Sequence, residues 1–80
     1  MATVLIVEDE FVIADLLEMA LTDEGYCVLL AANGREGLEL LAERTRPDLV
    51  ITDYMMPILD GAGLLQAMRQ NEAQRDIPVI

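Results

Sequence analysis

Short apolar runs alternate with helix-periodic segments along the whole chain, and no other feature restricts its fold as much. Val4 to Val7 is a continuous run of β-branched and Leu residues, the pattern of a strand covered on both faces. From Phe11 to Asp23 the residues Ile13, Leu16, Leu17, Ala20 and Leu21 recur at helical spacing as one stripe of an α-helix, and Gly25 closes that helix as its C-cap. Tyr26 to Ala32 reads as a second strand. Asn33-Gly34 could be a hairpin turn, but Asn33 with Glu36 three residues later fits a capping box better. It opens a second helix with Leu38, Leu41 and Ala42 at helical spacing. Pro47 ends that helix, Asp48 opens a third strand, and Asp60 is the expected N-cap of a third helix whose buried stripe is Leu64, Leu65 and Met68. Gln70 to Asp76 is a polar loop, and Ile77 to Ile80 begins a fourth strand. Strands separated by helical crossovers imply right-handed connections and a parallel sheet.

Eighty residues amount to one small domain. A chain of this size buries only about 60% of its unfolded surface, so its stability is expected to be marginal. With 54% apolar and 25% charged residues it has a globular rather than a disordered composition. No apolar run approaches the roughly 18 residues that span a bilayer, and no basic segment followed by a long apolar one marks a signal peptide. The single Cys27 cannot form an intrachain disulfide, which points to a reducing, cytoplasmic setting, and it reads as an inert buried side chain. The net charge of −10 repels phosphate backbones and anionic lipids, so direct binding to nucleic acid or membrane is not expected. The sequence contains no Lys, His or Ser. Imidazole bases, serine nucleophiles and Schiff-base lysines are thereby excluded.

What remains is carboxylate chemistry. Leu49 to Ile51 delivers Asp53 to the end of a strand, where open α/β sheets place their ligands. Glu8, Asp9 and Glu10 directly follow the first strand. If the first and third strands lie side by side and parallel, these carboxylates converge on one site. Any one of them alone reads equally well as a solvated charge at a turn. Crowded together they repel, and either protonation or a cation must compensate. Mg²⁺ suits such a site, because it takes hard oxygen ligands, commonly one or two carboxylates completed by water and phosphate oxygens.

Four segments in order carry a family resemblance: Val4-Leu-Ile-Val-Glu8-Asp9-Glu10; Asn33-Gly34 before the second helix; Asp53-Tyr-Met-Met-Pro57-Ile-Leu-Asp60-Gly61; and Ile77-Pro-Val-Ile80. Over its whole length the chain resembles the receiver domain of two-component response regulators. The resemblance implies an α/β, flavodoxin-like, doubly wound parallel sheet. It is incomplete here, at about four strands and three helices, and the strand order 2-1-3-4-5 comes from the resemblance alone. Residues 1–80 would form the N-terminal portion of such a domain. Asp53 would be the phosphoacceptor, attacking the phosphorus of a phosphohistidine on a sensor histidine kinase or phosphotransfer protein, or that of a small acyl phosphate. Asp9 would bind Mg²⁺ directly, with Glu8 contributing through a water or as a second carboxylate, and Asp53 and the backbone carbonyl of Met55 supplying further oxygens. Pro57 and Gly61 would shape the loop. The metal lets an anionic nucleophile approach an anionic phosphoryl group. The implied role is that of a phosphoacceptor module, not an enzyme.

The chain also departs from the family pattern. Receivers typically carry a Thr or Ser at the end of the fourth strand and a Lys at the end of the fifth, and these 80 residues include neither position. Thr52 is not the equivalent of the switch hydroxyl, and Tyr54 is not that of the family's aromatic switch residue. A second reading is therefore a silent, receiver-like interaction module that accepts no phosphate. The apolar surface and strand edge expected to be left uncovered favour association, giving a homodimer or a swapped assembly. A Mg²⁺-dependent aspartyl-phosphate hydrolase is a weaker third reading, since it needs more chain for a substrate pocket.

Overall fold

The computed structural model describes residues 2–43, 46–52 and 61–80. In chain order the elements are β1 (Thr3–Val7), α1 (Phe11–Asp23), β2 (Cys27–Ala31), α2 (Gly34–Ala42), β3 (Leu49–Thr52) and α3 (Gly61–Arg69). The three strands form one parallel sheet in the order β2-β1-β3. β1 is the central strand and the most completely covered of the three: Val4, Leu5, Ile6 and Val7 are all buried. Leu5 and Val7 face the main core, with Ala31, Leu41, Val50, Leu64, Met68 and Ile77. Strand alternation turns Val4 and Ile6 to the opposite side.

The chain steps from β1 to β2 in one direction and from β2 past β1 to β3 in the other. Right-handed crossovers then require α1 and α2 to lie on opposite faces of the sheet. The contacts agree, since α1 packs on β1 and β2, whereas α2 and α3 pack against each other. Gly37 allows this close approach: a Cβ at that position would lie 3.1 Å from Val7 Cγ2. At the end of α1 the C-cap is Glu24, one residue earlier than the sequence suggested. Gly25 follows in the left-handed region at φ 93° and donates its N–H to the carbonyl of Thr22. Asp48 fastens the sheet margin, its N–H donating to Thr3 O and its Oδ2 accepting from Thr3 N–H.

Several expectations need correcting. The apolar stripe of α1 is covered only in part: Ile13, Leu16 and Ala20 are exposed, Leu17 and Leu21 are half-buried, and Ala14 makes the close contact. Only a narrow line of α1 reaches the three-stranded sheet, and no described element lies over the rest. Ala42 and Leu65 are likewise exposed, while Leu64 and Met68 are buried as expected. The second helix ends at Ala42, well before the buried Pro47. Ile77–Ile80 is not a full strand. It pairs with β3 through a single parallel bridge, Val50↔Val79, supported by Val50 N–H to Pro78 O, Ile80 N–H to Val50 O and Thr52 N–H to Ile80 O. Cys27 is exposed, because it begins the edge strand β2. The expected N-cap Asp60 lies outside the described residues. No helix among the described residues is long and apolar enough to cross a membrane.

This division between covered and uncovered apolar side chains fixes what substitutions will do. Leu64→Ala, at a fully buried position, is expected to cost about 2–5 kcal/mol in urea unfolding. Met19→Ala, at a position 68% exposed, should stay within about 0.5 kcal/mol of the parent.

Candidate functional site

The reversal of strand order places a crevice outside the carboxyl ends of β1 and β3, the position where open α/β sheets bind ligands. Parallel pairing between these strands runs from Val4↔Leu49 to Val7↔Thr52. Glu8 and Asp53 are the residues that follow the last paired positions in sequence. The adjacency on which convergence of the two acidic segments depends is thus present. Asp53 and Met55 themselves lie outside the described residues, as do Pro57 and Asp60.

On the β1 side the backbone geometry is well defined. Glu8 N–H donates to Ala31 O at 3.0 Å, extending the β1–β2 ladder by one rung beyond Val7↔Ala31. The chain then turns into α1, and Glu8 Oε2 accepts from Glu10 N–H at 3.1 Å. Glu10 is the N-cap of α1 in extended conformation. Glu8 is half-buried while Asp9 and Glu10 are exposed, so Asp9 presents its carboxylate to solvent at the mouth of the crevice.

The neighbouring wall is the start of α2. Asn33 is its N-cap, with Oδ1 accepting from Glu36 N–H at 2.9 Å, as the capping pattern anticipates. Glu36 also reaches back, but to Ala32 N–H at 2.9 Å, one residue before the N-cap. Capping logic alone does not find that contact, which depends on where β2 ends. Glu8, Phe11, Asp15, Leu30, Ala31 and Glu36 line a small, half-open pocket of about 170 Å³ where the start of α1 meets the end of β2.

The donor set can be tested against the expected Mg²⁺. Among the described residues no group of three carboxylate, thiol or imidazole side chains could hold a metal ion. Glu8 and Asp9 supply hard oxygen ligands from one strand end, which meets the one or two carboxylates Mg²⁺ usually takes from a protein. The described residues therefore fit the ion.

A model of the response regulator receiver domain matches residues 4–80. The chain belongs to the receiver domain family. Its fold is that of receivers in solved structures. The receiver domain of a signal transduction histidine kinase from Syntrophus aciditrophicus superposes with a TM-score of 0.93 at 39% identity, over 99% of this chain and 59% of that one. Chemotaxis protein CheY4 of Vibrio cholerae gives 0.92 at 35% identity, over 99% and 65%. Among whole proteins, the transcriptional regulatory protein AfsQ1 of Streptomyces coelicolor is 39% identical over 80 residues, 100% of this chain and 34% of its own length. The probable transcriptional regulator ycf27 of Guillardia theta is 46% identical over 77 residues, 96% of this chain and 29% of its own. This receiver chain spans about a third of the length of such curated relatives.

The cap at α2 carries a stability consequence for this receiver. Asn33→Ala removes the acceptor for Glu36 N–H and should lower unfolding free energy by about 0.5–2 kcal/mol in denaturant titration.

Proposed function

We propose that the chain is the N-terminal portion, residues 1–80, of a cytoplasmic receiver module that takes a phosphoryl group from a sensor histidine kinase or phosphotransfer protein onto Asp53. The observation that carries this reading is the parallel pairing of β1 with β3. It brings the Glu8-Asp9 segment beside the strand that leads into Asp53. Mg²⁺ would be held by Asp9 and Glu8 with Asp53 and the backbone carbonyl of Met55, and its charge would neutralise the transferring oxygens. Asp53 would act as the carboxylate nucleophile. Glu8, anchored through its N–H, would orient the metal side of the site, and Asp9, open to solvent, would admit the ion with its waters. Such a module accepts a phosphoryl group from its partner and is not itself an enzyme.

Intact mass of the purified chain, taken before and after incubation with Mg²⁺ and a small acyl phosphate, tests the assignment. The parent should gain one phosphoryl group and Asp53→Asn none. Omitting Mg²⁺ should abolish the gain. A parent mass unchanged with Mg²⁺ present would overturn the phosphoacceptor role.

A second reading is favoured by a different observation. Val12, Leu16 and Met19 of α1 are 72%, 61% and 68% exposed, and a groove of about 580 Å³ lies between α3 and the 77–80 segment, lined by Leu65, Val79 and Ile80. Apolar surface of that extent suits association, either as a homodimer or as a swapped assembly. In this reading the chain is a silent interaction module. Light scattering that gives a monodisperse monomer at high concentration would exclude it.

A further inference from the structure

The acidic pair of β1 is tied to the head of α2 by a short chain of hydrogen bonds that no part of the transfer chemistry itself requires. Glu8 N–H donates to Ala31 O at 3.0 Å, at the last residue of β2. The next residue, Ala32, donates its N–H to Glu36 Oε1 at 2.9 Å. Glu36 in turn is fixed by its own N–H on Asn33 Oδ1 at 2.9 Å. The Ala31–Ala32 peptide unit is therefore held from both sides, its carbonyl accepting from Glu8 N–H and its N–H donating to Glu36 Oε1. Ala31 is buried and packs in the main core, so that point has little freedom to shift. Ordinary helix capping needs only the Asn33 acceptor. The reach of Glu36 past the N-cap to Ala32 is the feature capping leaves unexplained.

We propose that Glu36, seated by Asn33, is a positioning residue for the metal site. By fixing the Ala31–Ala32 backbone it holds Glu8, and with it Asp9, at the separation from β3 that a small octahedral cation demands. This rests on the Mg²⁺ reading of the Glu8-Asp9 pair. Mg²⁺ is the ion most sensitive to such an adjustment, because it tolerates little departure from near-ideal geometry. Groups that orient a metal ligand directly alter affinity about 10–100-fold when removed. Glu36 acts through the backbone, one step further away, so a smaller effect is expected.

Two substitutions separate positioning from the charge of the carboxylate. Glu36→Ala removes the acceptor for Ala32 N–H, whereas Glu36→Gln keeps an oxygen there and removes only the charge. Both are compared with the parent by calorimetric Mg²⁺ titration and by backbone amide exchange, under conditions where circular dichroism shows equal helical content. Glu36→Ala should weaken Mg²⁺ binding about threefold to tenfold, and Glu36→Gln should return it to within about twofold of the parent. Amide exchange at Glu8 and Ala32 should accelerate in Glu36→Ala, while Leu5 and Ile6 remain protected. Should Glu36→Ala fail to fold, Asn33→Ala against Asn33→Ser makes the same comparison, since Ser retains a capping oxygen. Parent-like affinity in Glu36→Ala would overturn the proposal, and so would a Glu36→Gln as weak as Glu36→Ala. A parent that binds no Mg²⁺ would instead remove the metal reading and the positioning role with it, a result seen before any substitution is made.

Discussion

Everything in this chain depends on the burial of β1. Its four apolar residues Val4 to Val7 are covered on both faces, and the strand is paired in parallel on both edges. Fully burying side chains of this kind stabilises the fold by about 1.5–3 kcal/mol each. The buried backbone also needs partners on both edges, because an unpaired buried N–H or C=O is costly. β2 and β3 supply them, and the two crossovers then have to leave β1 in opposite directions. The crevice at the ends of β1 and β3 is a consequence of that reversal.

The same constraint explains why the acidic residues stand where they do. Carboxylates cannot follow β1 into the sheet, so they appear at the first residues beyond it, where the chain emerges into solvent. Glu8 remains on the ladder through Ala31 and Asp9 turns outward. A net charge of −10 makes this end of the molecule unattractive to anions unless a cation intervenes.

The two faces of the sheet are unequally served. On one, α2 and α3 close over Leu5, Val7 and Val50 and bury Leu64 and Met68 almost completely. On the other, α1 stands alone among the described residues and keeps Val12, Leu16 and Met19 in water. A helix apolar around most of its circumference is ordinarily a buried one. Arg69 partly offsets the looseness at the β3 margin: its guanidinium donates to the carbonyls of Arg75 and Ile77, joining the end of α3 to the segment that bridges to Val50.

The sequence by itself determined the order of the three strands and three helices along the chain, the parallel sense of the sheet and the acidic residues that follow β1. Each of these follows from local pattern: a run such as Val4 to Val7 cannot be solvated, and an Asn33-x-x-Glu36 spacing opens a helix whatever surrounds it. The family was legible for the same reason, since its motifs are contiguous. Periodicity shows which side chains of α1 share a face, but not whether anything covers that face: Leu16 and Ala20 lie on the stripe and are nonetheless exposed. It also made Ile77–Ile80 a strand where the tertiary structure gives one bridge, because strand character depends on a partner and not on composition. Only the folded arrangement could bring Ala31 to Glu8, a contact set by where β2 stops relative to β1. Pairing register is a property of two segments together, and neither one encodes it alone.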